Sequence, residues 1–200
     1  MGRTVDYYFA PQSPCAYLGH QRLVDIVART GATLRVMPMD LGGKVFPISG
    51  GLPLGQRAPQ RQAYRLVELQ RFSRHLKIPL NLKPQYFPVG GDPAARLIIA
   101  VDMAHGAAAA MAMAGALLTA CWAQDRNMAD DAVLAELLQE QKLSAGLLAQ
   151  SHSSEVQALY ETYTQAAIAA GVFGAPSYVL EGEIFWGQDR LDFLEQALAS

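Results

Sequence analysis

The sequence predicts an α/β fold, a four-stranded mixed sheet with an all-helical subdomain inserted between its second and third strands. Three observations carry this. The N-terminal segment reads as strand, helix and strand; the C-terminal segment reads as a hairpin followed by a helix; and the residues between them show helical periodicity with no further strand pattern. The sheet domain takes residues 1–45 and 153–200, and the inserted subdomain takes residues 46–152.

Residues 5–10 alternate, with Val5, Tyr7 and Phe9 opposite Asp6 and Tyr8, and aromatic or branched residues on both faces mark a buried strand. Residues 11–14 hold two prolines and break it. Over residues 17–30, Leu18, Leu23, Ile26 and Val27 recur at helical spacing, and Gly31 ends the run. Residues 33–39 form the second strand, parallel to the first through a right-handed crossover. Residues 41–59 are so rich in Gly and Pro that an irregular loop is expected, and a long loop in a compact domain is usually functional. Helical patterns follow over 58–76, 93–123, 130–139, 144–150 and 153–170, the last with Ser153 placed to cap it. Residues 176–180 and 183–186 are strands joined by Glu181-Gly182 in a tight hairpin, and residues 189–199 make the closing helix.

Composition narrows the function. A chain of 200 residues buries enough surface to need no disulfide or metal staple, and 51% hydrophobic against 17% charged residues excludes a disordered chain. The net charge of −2, with its basic residues scattered, lacks the electrostatic footprint of a nucleic-acid binder. Residues 106–123 carry no charge and approach the length of a membrane span, but they are mostly alanine, whose transfer free energy is small, so a buried helix is expected. The N-terminus shows no apolar leader with a cleavage site, so a cytoplasmic protein is expected. Cys15 and Cys121 lack zinc or CxxC spacing, and His20, His75, His105 and His152 are dispersed, so no metal site is expected.

Three segments stand out as places for chemistry. Ser13-Pro14-Cys15-Ala16-Tyr17-Leu18 lies where the first strand turns into the first helix, at the strand edge where α/β sheets bind ligands. A hydroxyl there adjoins free backbone N–H groups and the positive end of the helix, although Ser13 as a plain cap with Pro14 in the first turn is a common arrangement. Residues 171–177 (Gly-Val-Phe-Gly-Ala-Pro-Ser) lead into the third strand, with Pro176 either strand punctuation or a cis residue that turns the preceding backbone toward a cleft. Residues 185–190 (Phe-Trp-Gly-Gln-Asp-Arg) leave the hairpin for the last helix, where Asp189 suits an N-cap. Cys15 reads as an incidental thiol, and Cys121 reads as core.

In this order the three segments resemble the 2-hydroxychromene-2-carboxylate isomerases, glutathione-dependent enzymes of aromatic degradation related to kappa-class glutathione transferases. The resemblance rests on Ser-Pro-x-x-Tyr-Leu (13–18), Gly-Val-Phe-Gly-x-Pro (171–176) and Phe-Trp-Gly-Gln-Asp-Arg-Leu-Asp (185–192), and it spans essentially the whole chain. It implies a thioredoxin-like fold with a helical insertion, glutathione as cofactor, a small aromatic substrate and a homodimer. Ser13 and Ala16 occupy the two positions that hold cysteines in related thiol oxidoreductases, so no CxxC disulfide can form. The resemblance assigns Ser13 to the glutathione sulfur, the Ala175 backbone to its cysteinyl part, and Trp186, Gly187, Gln188 and Asp189 to its γ-glutamyl end, with Asp189 on the ammonium group.

A free thiol has a pKa of about 8.5, and a hydrogen bond to a charged group contributes roughly 1.5–3 kcal/mol, or one to two pKa units. A serine hydroxyl at a helix N-terminus would therefore make thiolate a major species near neutrality. The implied reaction is reversible. Ring opening of the cyclic hemiketal exposes a cis double bond, thiolate adds, the bond rotates, and thiolate leaves to give trans-o-hydroxybenzylidenepyruvate. The resemblance implies Lys44, within about one position of a lysine that serves the substrate in relatives, for the substrate carboxylate and Tyr86 for the phenol or carbonyl oxygen, the plain readings being a solvated loop lysine and a half-buried packing residue. Gly50 falls near an asparagine of relatives, a departure that bears on the exact substrate. A kappa-type transferase or peroxidase, or a glutathione- or peptide-binding module without catalysis, are the alternatives.

Overall fold

In the computed structural model, which describes residues 2–199, strand β1 (Thr4–Phe9) lies inside a sheet of order β2-β1-β3-β4, between β2 (Thr33–Pro38) and β3 (Ser177–Leu180), with β4 (Glu183–Trp186) on the edge. β1 and β2 are parallel, with Tyr7 beside Val36, and the helix between them, α1, spans Pro14–Thr30. β3 runs antiparallel to both neighbours, placing Tyr178 opposite Tyr7 on one side and Phe185 on the other. The mixed four-stranded sheet is thus the one expected from the pattern. Glu181 and Gly182 turn the hairpin with φ of 52° and 89°, the left-handed pair that suits a two-residue connection.

The period of two in β1 divides its side chains between two cores. Val5, Tyr7 and Phe9 join Leu34, Val36, Tyr178 and Phe185 on one face, and Tyr7 stacks on Phe9 with ring centroids 4.3 Å apart. Leu23 and Ile26 of α1 and Leu191 and Leu194 of the closing helix α9 (Leu191–Ala199) cover that face. Tyr8, Met37 and Val179 point the other way, onto Ala167 of α8 (Ser154–Ala169). Burial on both sides explains why the strand carries aromatic and branched residues at successive positions.

The central helices are α2 (Phe46–Ser49), α3 (Pro59–Leu76), α4 (Asp92–His105), α5 (Ala107–Ala123), α6 (Asp131–Glu140) and α7 (Gly146–Ser151). The helical pattern read over residues 93–123 is two helices. Gly106 separates them at φ 81° and ψ 175°, a conformation outside the helix that glycine adopts without Cβ strain. The loop expected over residues 41–59 is also more ordered than its composition suggests. The Asp40 carboxylate accepts the Gly43 N–H at 2.7 Å and folds Leu41–Val45 into a wide turn, which runs directly into α2. The closing helix begins later than residue 189, because Gln188–Arg190 form a separate 3₁₀ turn; Asp189 sits within it and is not the cap. Ser153 caps α8, accepting the Val156 N–H at 3.3 Å. Among the described residues no helix is long and apolar enough to cross a membrane.

Candidate functional site

The site begins at the N-terminus of α1. Ser13 is extended (φ −77°, ψ 122°) and its Oγ accepts the Ala16 N–H at 3.2 Å, while Pro14 occupies the first turn. The cap expected from the sequence therefore exists. The same hydroxyl also donates to the Ala175 carbonyl at 3.3 Å, which a cap alone does not require. Ser13 is 8% exposed, so this contact is made out of bulk water at the positive end of a 17-residue helix. The Ala175–Pro176 peptide bond is cis.

The third segment closes against the second. The Gly187 N–H donates to the Pro176 carbonyl at 2.9 Å, and the Trp186 indole packs edge-on against Phe173 with ring centroids 4.8 Å apart. A side chain at Gly174 would collide with that indole. Trp186 nevertheless stays 50% exposed, so it presents a ring face beside the loop. Gly187 takes φ 100°, and the turn it permits delivers Gln188 inward and Asp189 outward. Gln188 is 3% exposed; its backbone carbonyl accepts from the Arg22 guanidinium at 2.9 Å and its side-chain carbonyl at 3.2 Å. Asp189 pairs with Arg190 at 2.6 Å and still acts on Cys15, whose thiol it pushes up. Ser13, Ala175 and the 186–189 turn are thereby brought to one end of the sheet.

The residues read as serving a substrate lie on two different segments. Lys44 lies in the Leu41–Val45 turn and is ion-paired with Glu161 of α8, whose carboxyl that hydrogen bond lowers. Tyr86 is 43% exposed in the irregular segment between α3 and α4. Its neighbour Phe87 packs against Trp122 of α5 with ring centroids 4.7 Å apart.

Cys15 follows the proline, and burial pushes its thiol up. The charges of Arg65 and Arg57 pull it back down, while Asp189 and Glu68 add to the rise. Arg57, Arg65 and Glu68 carry no local signal in the sequence, where residues 58–76 read only as a helical pattern; their approach to the first loop is tertiary. Cys121 is buried and pushed up to about 12, chiefly by burial, as suits a core thiol. Among the described residues no cluster of His, Cys, Asp or Glu could hold a metal ion. A cavity of about 770 Å³ opens elsewhere, between α1 and α5, lined by His20, Val24, Met111 and Gly115 among others.

Comparison with known proteins agrees with this fold. The DsbA-like thioredoxin domain family matches residues 4–199. A 2-hydroxychromene-2-carboxylate isomerase of Pseudomonas putida is 31% identical over 197 residues, covering 97% of this chain and 93% of its own. The isomerase of the same name from Sphingobium xenophagum is 29% identical over 199 residues, covering 99% of each chain. The solved structure of a 2-hydroxychromene-2-carboxylate isomerase superposes with a TM-score of 0.82 at 28% identity, covering 98% of this chain and 94% of the other.

Proposed function

The chain belongs to the DsbA-like thioredoxin family and, within it, to the 2-hydroxychromene-2-carboxylate isomerases; it is an enzyme, and from that premise we propose that it is a glutathione-dependent isomerase. Its reaction interconverts 2-hydroxychromene-2-carboxylate and trans-o-hydroxybenzylidenepyruvate. One observation carries the cofactor: the buried Ser13 hydroxyl, held at the positive end of α1 against the Ala175 carbonyl, with Ala16 where a dithiol enzyme needs its second cysteine. Such a pocket suits a thiolate brought by a diffusible tripeptide, and this chain cannot supply a CxxC pair of its own. Glutathione, when bound, supplies a nucleophilic sulfur that adds reversibly to the conjugated double bond and so permits its rotation.

The chain's own groups then have distinct tasks. The Ser13 hydroxyl turns from Ala175 to donate to the sulfur, stabilising its anion by roughly 1.5–3 kcal/mol, or about one to two pKa units. The Ala175 carbonyl, released by Ser13, accepts a backbone N–H from the cysteinyl part. The Asp189 carboxylate exchanges Arg190 for the ammonium of the γ-glutamyl end, and Trp186 and Gly187 line that end. Gln188 has both of its carbonyls on Arg22, so it fixes the turn that presents Asp189. Tyr86 is open to a phenol or carbonyl oxygen. Lys44 would serve a carboxylate only by giving up Glu161.

The test is spectroscopic. The protein with glutathione should accelerate formation of the conjugated trans product from 2-hydroxychromene-2-carboxylate, and omission of glutathione should abolish that acceleration. No acceleration alongside normal conjugation of 1-chloro-2,4-dinitrobenzene would identify a kappa-type transferase instead.

A further inference from the structure

We propose that Arg65 is the residue that binds the carboxylate of the aromatic substrate, gripping it with guanidinium N–H groups that engage no other residue. This rests on the reading of the site as one for an aryl carboxylate. Arg65 lies in α3 with its guanidinium over the Phe87 ring at 5.2 Å and over the Trp122 ring at 5.7 Å. Among the described residues it makes no hydrogen bond and no ion pair. Four other cations are already engaged: Lys44 by Glu161, Arg190 by Asp189, Arg22 by Gln188 and Asp192, and Arg57 by the Leu52 carbonyl. The nearby acid Glu68 is taken by Arg71.

A half-buried guanidinium without a counter-ion is costly, and stacking on two rings offsets only part of that cost. Stacking also orients the group. The two rings, with centroids 4.7 Å apart, flank it on one side and leave its N–H groups without a hydrogen-bond partner among the described residues, the groups that meet a carboxylate in a paired geometry. Phe87, partly exposed and backed by the buried Trp122, then supplies an aromatic surface beside the charge, which matches an aryl acid better than a peptide carboxylate. Arg65 is also at the right loop, because its charge is the largest influence lowering the Cys15 thiol against burial, two residues from Ser13. The γ-glutamyl end is assigned to Asp189 and so leaves Arg65 for the second substrate.

Calorimetric titration of the whole chain with trans-2-hydroxycinnamate and with its uncharged amide tests this without requiring turnover. The native protein should prefer the acid by roughly 10- to 100-fold. Arg65→Gln should bind acid and amide equally, with the amide affinity unchanged, whereas a general packing defect would weaken both. Arg65→Lys should keep part of the preference, and it decides the matter if the glutamine variant does not fold. Absence of a preference in the native protein, or its persistence in Arg65→Gln, would overturn the assignment. Failure of the isomerase reading is distinct: the native chain would then show the acid preference with no glutathione-dependent turnover.

Discussion

The Ser13 hydroxyl and the Ala175 carbonyl lie 3.3 Å apart although 162 positions separate them in the chain. The contact joins the turn after β1 to the turn before β3, two strands that pair antiparallel at the middle of the sheet. Because the sheet fixes both turns, the hydroxyl is pre-positioned and its partner is a carbonyl that a bound peptide can take over. Removing Ser13 also removes a helix cap. Ser13→Ala should therefore cost about 1 kcal/mol of stability, read from the midpoint of urea unfolding.

Asp189 and Arg22 should separate binding from chemistry. Asp189→Asn removes the only carboxylate assigned to the tripeptide and should raise its dissociation constant by roughly 10-fold while kcat at saturating glutathione changes little. Arg22→Ala should raise it through loss of the hold on Gln188. Calorimetry with glutathione measures both, and an unchanged affinity in Asp189→Asn would remove that contact.

Cys15→Ala should leave turnover at pH 7 within about twofold. Burial holds the Cys15 thiol above its ordinary pKa, so it is protonated and unreactive at neutral pH even though arginine charges partly oppose the rise. Steady-state rates decide this, and loss of most activity would make Cys15 a participant.

His20 sets an acid limit on the fold. Burial lowers its pKa from 6.5 to about 4, so between those values the unfolded chain binds a proton that the folded chain does not. Stability is unaffected above pH 6.5, declines as pH falls, and reaches its full loss of up to about 3 kcal/mol below pH 4. Urea midpoints at pH 7 and pH 4.5 should differ more in the native chain than in His20→Gln. Equal differences would assign the acid sensitivity to other groups.

What could be read in advance follows from how local each signal is. The strands around Tyr7, the cap at Ser13 and the Glu181-Gly182 turn are written in adjacent residues, and the structure has all three. The break at Gly106 was hidden because the alanine-rich run is apolar on every side, so periodicity says nothing about where one helix stops. The wide turn after Asp40 depends on a single carboxylate reaching a backbone N–H, which composition reads only as loop. Arg65 was invisible because its meaning lies in what it lacks, a partner, and only tertiary structure shows that.

The most direct measurement is the ultraviolet absorbance of glutathione thiolate, titrated with pH on the native enzyme and on Ser13→Ala. The bound thiol of the native enzyme should ionise about one to two pKa units below the free value of about 8.5, and that of the variant should return toward it. An equal pKa for the two proteins, with glutathione bound to both, would mean that Ser13 does not hold the thiolate.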